Sequence, residues 1–307
     1  MNQKQAGYAG ASSASIQHHY DLGNDFFELW LDKSMTYSCA LWQSDGEELE
    51  TAQARKLDYI AQAARLPHNA RVLDIGCGWG SMMRRLVEHH GASHVVGLTL
   101  SEAQARRNAE WMGEGYEVRM ENWTDHRASE PYDGIVSIGA FEHFARFGLT
   151  RADRVAAYRA FFAHCHDLLR PHGCLGLQTI CKGGNKRMSR QTVRDLVFVI
   201  DRIFPESELP WPGEILEASQ GLFDLSYARN DPGHYALTCQ RWRDNLSLRR
   251  KEAELKAGDE VVDDYLRYLG SSASAFEEEH LGLLRVSFKR IGGPSTGAKQ
   301  SMKWAVG

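Results

Sequence analysis

Short apolar runs alternate with amphipathic segments between Arg71 and residue 182. The predicted strands are "RVLDIGCG", "HVVGLTL", "YEVRMEN", "YDGIVSIGA" and "CLGLQTI". The predicted helices between them are "SMMRRLVEHHG", "SEAQARRNAEWMG" and "RVAAYRAFFAHCHDLLRPHG", and Ser101 is expected to cap the second helix. Strands that alternate with helices form βαβ units, so the pattern predicts an α/β fold with a mostly parallel sheet.

Helical patterns flank this core. "DLGNDFFELWLD" is a short amphipathic segment, and "ETAQARKLDYIAQAARL" is a clearer helix that stops at Pro67. Residues 183–230 are less regular, contain several prolines and are interpreted as an insertion over one end of the sheet. "FDLSYARND" and "LGLLRVSFKRI" return to strand-like patterns, whereas "HYALTCQRWRDNL" and "VVDDYLRYLGSSASAFEEE" are helical in character.

A length of 307 residues suits one α/β domain with an added lid. The predicted domain spans residues 16–292. Its parts are a helical lid at 16–66, a core at 67–182, a lid insertion at 183–222 and the C-terminal part of the core at 223–292. Residues 1–15 are expected to form a disordered tail and residues 293–307 a flexible one.

Composition narrows the class of protein. The net charge of -4 argues against a nucleic-acid partner, and no apolar run approaches the ~20 residues of a membrane span. The N-terminus lacks the apolar centre of a signal peptide. The six cysteines are scattered and form no CxxC, which favours reduced thiols in a cytoplasmic protein without a metal site.

"VLDIGCGWG" is the most specific local signal for a cofactor. A strand ends beside Asp74, and Gly76, Gly78 and Gly80 then permit a tight turn against a ligand. A nucleotide-binding turn of any kind is the plainer interpretation. The GxGxG spacing with a preceding acid differs from the dinucleotide fingerprint, and it is similar to the first motif of class I S-adenosylmethionine (SAM) methyltransferases.

Uncharged polar residues follow the second strand, where dehydrogenases of this architecture carry an acid. Trp123 follows the third strand, where such folds cover an adenine, although core packing is its simpler role. The predicted cofactor contacts are Tyr37, Ser38, Asp74, Gly76, Gly78, Gly80, Thr99, Leu100, Gln104, Asn122, Trp123 and Ile138.

Glu142 stands out in the apolar stretch "SIGAFEHF". Acidic side chains are rarely buried without a partner. Glu142 follows the fourth predicted strand, at the sheet edge where α/β folds bind ligands. A carboxylate that caps His143 or a backbone amide is the structural alternative, and the position favours a functional role.

Further segments converge on one family. They are "HHYDLGNDFFELWLDKSMTYSCALW", "GLTLSEAQ", "SIGAFEHF", "LPWPGEILEAS" and "HYALTCQRW". With the glycine turn, they resemble the cyclopropane-fatty-acid synthase and mycolic acid cyclopropane synthase family from about residue 18 to about residue 290. The chain is more similar to the shorter, mycolic type. The resemblance implies a seven-stranded class I methyltransferase sheet with a helical lid and an antiparallel final strand pair.

The resemblance also implies an activity. These enzymes transfer a methyl group from SAM to a cis double bond in an acyl chain, and a carbocation results. Aromatic rings stabilise such a cation and exclude water. The expected substrate-lining residues are Tyr20, Trp42, Phe141, His143 and Phe144, and plain core packing is the alternative for each ring.

In this family a bicarbonate ion removes a proton so that the ring closes. The resemblance places the ion against the backbone at Cys39 and Ile180, the Glu142 carboxylate, the Tyr235 hydroxyl and a histidine. This chain has Gln178 in place of that histidine, and glutamine does not titrate near neutral pH. Bicarbonate binding is therefore left open. "ARFGLTRADRVAAY" indicates a longer loop beside the site.

These departures keep other functions open. One is methylation of a specialised small molecule, on carbon or nitrogen, and another is a non-catalytic SAM- or lipid-binding protein. "FFELWL" and "LVFVIDRIF" are expected to line an acyl tunnel. The basic residues of 182–194 predict contact with phospholipid head groups or an acidic acyl carrier protein, with a solvated loop as the alternative. The expected location is cytoplasmic, peripheral at the membrane, and a homodimer is left open.

Overall fold

A seven-stranded sheet forms the centre of the computed structural model, which describes residues 10–12, 22–111 and 113–292. The strand order is β3-β2-β1-β4-β5-β7-β6, and β7 runs opposite to the other six strands. The strands are β1 Arg71–Ile75, β2 His94–Thr99, β3 Tyr116–Met120, β4 Tyr132–Ile138, β5 Leu169–Lys182, β6 Phe223–Asn230 and β7 Leu281–Arg290. The predicted fold class is confirmed.

Helices connect the strands and cover both faces of the sheet. They are α1 Asn24–Phe27, α2 Leu49–Ala63, α3 Ser81–His90, α4 Glu102–Trp111, α5 Arg151–Leu168, α6 Arg190–Arg202, α7 Pro212–Ser219, α8 Pro232–Leu248, α9 Arg250–Ala257 and α10 Asp259–Glu277. A short 3₁₀ helix, Phe141–His143, follows β4. Because parallel strands share a direction, the loops after β1, β2 and β4 meet at one edge of the sheet.

One boundary and one longer stretch differ from the predictions. The helix expected to reach Pro171-His172-Gly173 ends at Leu168, and β5 begins at once with Leu169 paired to Tyr132. The ladder is irregular before Gly134 pairs with Cys174, and such an irregularity accommodates a proline. The stretch at 183–230 is also more regular than expected, because it contains α6 and α7. The Ser189 hydroxyl caps α6 by accepting a hydrogen bond of 3.0 Å from the Thr192 amide.

Buried apolar residues fill three clusters. One lies under β1 and β2, and one lies between the sheet and α5. The third joins the N-terminal segment to α8 and α10, with Phe26, Phe27, Trp30, Trp242 and Tyr265 at its centre. The α1 segment is therefore anchored as core, not as a loose lid.

All six cysteines are buried as free thiols. Their exposed fractions do not exceed 6%. Within residues 10–12, 22–111 and 113–292, no helix is long and apolar enough to span a bilayer.

Candidate active site

The glycine turn between β1 and α3 depends on glycine at two positions. Gly76 and Gly80 have φ angles of 84° and 77°, in the left-handed region that favours glycine. A Cβ atom on Gly76 would lie 2.5 Å from the Cβ atom of Ala140, and one on Gly80 would lie 2.6 Å from the Trp111 ring. The chain therefore turns sharply and leaves the first amides of α3 at the edge of the sheet.

A cavity lies over this turn, and we call it the cofactor cavity. The residues predicted to bind the cofactor that line it are Tyr37, Ser38, Asp74, Gly76, Gly78, Thr99, Leu100, Gln104, Trp123 and Ile138. They come from the N-terminal segment and from the ends of β1, β2, β3 and β4. The structure thus brings together ten of the twelve predicted positions.

Gly80 and Asn122 do not line the cofactor cavity. Gly80 lies behind the turn against Trp111, where it permits close packing of α3 on α4. The Asn122 side-chain oxygen accepts a hydrogen bond of 3.1 Å from the Thr124 amide, which shapes the loop after β3. Both positions support the site without facing it.

Two charged side chains are buried beside the cofactor cavity. Both carboxylate oxygens of Asp74 lack a hydrogen-bond partner among the described residues, and burial raises the Asp74 pKa to about 7. Lys56 is fully buried on α2, and its Nζ donates a hydrogen bond of 2.7 Å to the Ser38 hydroxyl. Burial lowers the Lys56 pKa to about 7. An unpaired buried carboxylate is costly, so it indicates a ligand with hydrogen-bond donors.

A second cavity, of about 560 Å³, adjoins the first, and we call it the apolar cavity. Tyr37, Gly139 and His143 line both cavities, so the two meet at these residues. The walls of the apolar cavity are mainly aliphatic and aromatic; they include Met188, Leu196, Val199, Ile200, Phe204, Leu209, Trp211, Tyr268, Phe276 and Leu281. The predicted wall "LVFVIDRIF" contributes four of these residues.

Glu142 lies in the apolar cavity near the point where it meets the cofactor cavity. The 3₁₀ helix after β4 holds it, and only 5% of the residue is exposed. The Ile180 amide donates a hydrogen bond of 2.6 Å to Oε1, while Oε2 has no partner among the described residues. Burial raises the Glu142 pKa to about 7, and the Ile180 amide opposes that shift.

Cys39 and Gln178 are buried nearby but line neither cavity. The Gln178 Oε1 accepts a hydrogen bond of 2.8 Å from Arg285, which lies opposite it on β7, and its Nε2 donates one of 3.4 Å to the Cys39 carbonyl. Arg285 also donates to the Ala40 carbonyl at 2.9 Å and pairs with Asp231. Gln178 thus holds the backbone at residues 39–40, which differs from the predicted role as an anion ligand.

Tyr235 and His143 do line the apolar cavity. Tyr235 lies near the start of α8 and stacks on Phe276 with ring centroids 4.5 Å apart. The His143 ring shares a hydrogen bond of 2.8 Å with the Ser207 hydroxyl. Burial lowers the His143 pKa to about 4, so the imidazole is neutral at physiological pH.

The remaining predicted substrate walls lie elsewhere. Phe141 is fully buried and stacks on Tyr158 at 4.6 Å, and Trp42 lines a separate cavity with its indole N–H bonded to Thr238. Phe144 lines the cofactor cavity and contacts Trp123. Tyr20 lies outside the described residues. The "FFELWL" segment is also core, because its rings pack against one another and against α10, so its prediction as a tunnel wall is wrong.

Two buried charged residues of the site region, Lys56 and Arg285, belong to none of the sequence motifs. A signal for Lys56 was present, because Ala52, Gln53, Lys56 and Ile60 recur at helical spacing on the buried face of α2. Arg285 interrupts the apolar strand "LGLLRVSFKRI", and only the register with β5 shows its partner.

The strand order, the glycine turn and the cavity above it define a class I SAM-dependent methyltransferase. SAM carries an ammonium group, a carboxylate and an adenosine. Asp74 would face positive or donor groups, Ser38 and Lys56 would face acceptors, and Trp123 would cover a flat base. The donors and acceptors of the cavity therefore fit this cofactor.

The chain belongs to the mycolic acid cyclopropane synthetase family, whose model matches residues 9–286. It is 36% identical to cyclopropane mycolic acid synthase 1 of Mycobacterium tuberculosis over 276 residues, which cover 86% of this chain and 92% of that protein. It is also similar to the structure of the cyclopropane synthase MmaA2 from M. tuberculosis, with a TM-score of 0.84, 33% identity and coverage of 92% and 99% of the two chains. The mycolic acid cyclopropane synthase CmaA1 complexed with SAH and CTAB aligns with a TM-score of 0.82 at 33% identity, and it covers 92% of this chain and 99% of its own.

Proposed function

We propose that this enzyme transfers a one-carbon unit from SAM to a carbon–carbon double bond in an unsaturated acyl chain. The junction of the two cavities carries this proposal. The cofactor cavity, whose donors and acceptors fit SAM, meets the apolar cavity of about 560 Å³ at Tyr37, Gly139 and His143. An acyl chain in the apolar cavity would present its double bond to the cofactor at this junction.

The reaction requires an environment that tolerates positive charge. SAM supplies an electrophilic methyl group; as the new carbon–carbon bond forms, the carbon–sulfur bond breaks and a cation is left on the acyl chain. Tyr37, Tyr235 and Tyr268 surround the apolar cavity at this end. Each ring that faces the cation contributes ~0.5–2 kcal/mol through cation–π attraction.

Glu142 is the charged group best suited to stabilise this cation. As a carboxylate in an apolar cavity, it stabilises a neighbouring cation more strongly than it would in water. The unpartnered Oε2 is also an acceptor for a proton released from the transferred carbon. Loss of that proton closes a cyclopropane ring, whereas a proton lost elsewhere leaves a methyl group.

The predicted bicarbonate ligands do not converge on one cavity. Cys39 and Gln178 line neither cavity, and the Ile180 amide already donates to Glu142. Only Glu142, Ile180 and Tyr235 of the set lie on the apolar cavity. The proposed chemistry therefore contains no step through bicarbonate.

SAM with a fully deuterated methyl group tests the function directly. The enzyme is incubated with unsaturated phospholipid and, separately, with soluble extract of the source cell, and the products are analysed by mass spectrometry. A lipid product that has lost one of the three labels shows ring closure, and one that keeps all three shows methylation. A labelled product found only among soluble small molecules would contradict the acyl substrate.

A further inference from the structure

The outer face of α6 is apolar, which is the reverse of an ordinary surface helix. Val193, Val197 and Ile200 lie three to four residues apart, and they are 45%, 49% and 37% exposed. The helix has no buried residue along its length. Phe198 and Val199 pack partly buried against the core, whereas the side of the helix that carries Val193, Val197 and Ile200 stays exposed.

Polar contacts attach the opposite face of α6 to α10. Asp195 pairs with Arg267 at 2.9 Å, and Arg202 pairs with Glu260 at 2.6 Å. The Arg267 guanidinium also lies 4.0 Å from the centre of the Phe198 ring. These ion pairs orient the helix with its apolar side outward.

The apolar surface continues beyond the helix. Phe147 is 68% exposed and Met188 is 41% exposed. Together with Val193, Val197 and Ile200 they form what we call the mouth face, which holds five of the eleven large hydrophobic residues exposed in the described part of the chain. Such clustering marks an interaction surface, because isolated exposed apolar residues are the norm.

The mouth face leads into the apolar cavity. Phe147, Met188 and Ile200 line that cavity, and Leu196 extends the lining along α6. A molecule on the mouth face thus lies at the entrance of the proposed acyl site.

Basic side chains border the mouth face. Lys186, Arg187, Arg190 and Arg194 form no salt bridge with any described residue, and Lys186 lies 5.4 Å from the centre of the Trp211 ring at the cavity wall. Among the acids nearby in the chain, Asp195 pairs with Arg267 and Glu208 pairs with Lys182. Asp201 and Glu206 form no salt bridge with a described residue, and Glu206 accepts a hydrogen bond from the Ser12 amide. The border is therefore net positive and complements an anionic surface.

We propose that the mouth face docks on an anionic phospholipid bilayer, with α6 lying in the plane of the interface. The apolar side chains would enter the acyl region while the cations contact phosphates. An acyl chain would then pass from the bilayer into the apolar cavity without crossing water. This inference rests on the proposed function, because docking on a bilayer would serve an enzyme whose substrate is a lipid acyl chain.

The apolar face favours a bilayer over an acidic carrier protein. A carrier protein would engage the cations, but it would not by itself require an apolar stripe two turns long beside them. Amphipathic helices with basic borders are typical of membrane surfaces.

Vesicle sedimentation without SAM tests the proposal. The protein is expected to sediment with vesicles of phosphatidylglycerol and phosphatidylcholine, and much less with phosphatidylcholine alone. Two double variants, which we call the α6 variants, are Val193→Gln/Val197→Gln and Arg187→Glu/Arg190→Glu. Each is expected to bind the anionic vesicles at least about tenfold more weakly than wild type. These four residues line neither cavity.

Matched controls are available on remote surfaces. Leu248 and Leu255 are 83% and 88% exposed, so Leu248→Gln/Leu255→Gln should leave vesicle binding unchanged. Wild-type protein that stays in the supernatant, or α6 variants that bind as tightly as wild type, would overturn the proposal. So would α6 variants that lose binding to an acidic acyl carrier protein but keep vesicle binding.

Activity on a detergent-dispersed unsaturated acyl ester separates this inference from the proposed function. The α6 variants should keep wild-type turnover there, because the cavities are unchanged. Vesicle binding without acyl turnover would support docking and contradict the acyl function. Acyl turnover without vesicle binding would support the acyl function and contradict docking.

Discussion

Single buried charges carry most of the chemistry proposed for this enzyme. Among the described residues, Asp74 and Glu142 keep unpartnered carboxylate oxygens beside the cavities, and Lys56 donates a hydrogen bond to the Ser38 hydroxyl. Burial moves the pKa values of all three to about 7, so their charge states respond to small changes near neutrality.

Glu142→Gln is expected to lower kcat by about 100-fold or more while the Kd for SAM stays unchanged, because the amide cannot neutralise a cation. In the wild type, kcat should rise with pH through about 7 as the carboxylate ionises, and the variant should lack this rise. Turnover assays from pH 5.5 to 8.5 and calorimetric SAM titrations measure both effects.

Glu208→Gln is the control for the Glu142 prediction. Glu208 also lines the apolar cavity, but it is paired with Lys182, so its variant should retain the pH dependence. Near-normal turnover by Glu142→Gln would show that this carboxylate is structural.

Lys56 predicts a pH dependence of stability in the cofactor-free protein. Burial lowers its pKa from 10.5 to about 7, so the folded state binds fewer protons than the unfolded state between these values. Its contribution to the free energy of unfolding is therefore present above pH 10.5 and is lost as the pH falls to about 7. Lys56→Met should lose less stability than the wild type between pH 9 and pH 7.

Urea unfolding at the two pH values measures this difference. Lys251→Met on the surface of α9 provides the control, since Lys251 is exposed. If Lys56→Met and the wild type lose the same free energy of unfolding between pH 9 and pH 7, Lys56 stays charged in the folded state.

At the scale of elements, apolar periodicity predicted the sheet well. Every strand from β1 to β7 overlaps a predicted segment. The signal is strongest for β1, β2, β4 and β5, because buried parallel strands form short, nearly continuous apolar runs. The pattern did not predict α6 as a helix. The apolar stripe of α6 faces outward, so the apolar run in the sequence does not show what the helix packs against.

The pairing of β5 with β7 fixes the segment that holds Cys39. Arg285 is fully buried and bonds to Gln178, Asp231 and the Ala40 carbonyl. Register between distant strands is set by tertiary pairing, so neither the Arg285 partners nor the Gln178 contacts could be predicted from sequence.

Arg285→Met is expected to lower the free energy of unfolding by ~3–5 kcal/mol, because it leaves buried acceptors and Asp231 short of donors. Lys289→Met on the same strand is the control and should change stability by about 0.5 kcal/mol or less. Urea denaturation compares the two, and equal midpoints would show that the Arg285 network contributes little net stability.

At the scale of the whole molecule, two cavities are built from segments far apart in sequence. The motifs identified the chemical end of the site, namely the glycine turn and Glu142, because these residue types are unusual where they stand. The far walls come from 188–211 and 268–281, whose apolar residues look like ordinary core in the sequence. Only the packing of the insertion and α10 against the sheet separates a cavity wall from a core.

The burial of every cysteine has a consequence for how this protein responds to its surroundings. Burial raises the thiol pKa values, to about 11 for Cys39 and to about 12 for Cys181, so reactive thiolates are scarce while the chain is folded. Oxidants and alkylating reagents reach a sulfur atom only when part of the structure opens. Each thiol is thus a reporter of local opening: Cys39 and Cys239 of the region around the site, and Cys165 of the packing of α5 on the sheet.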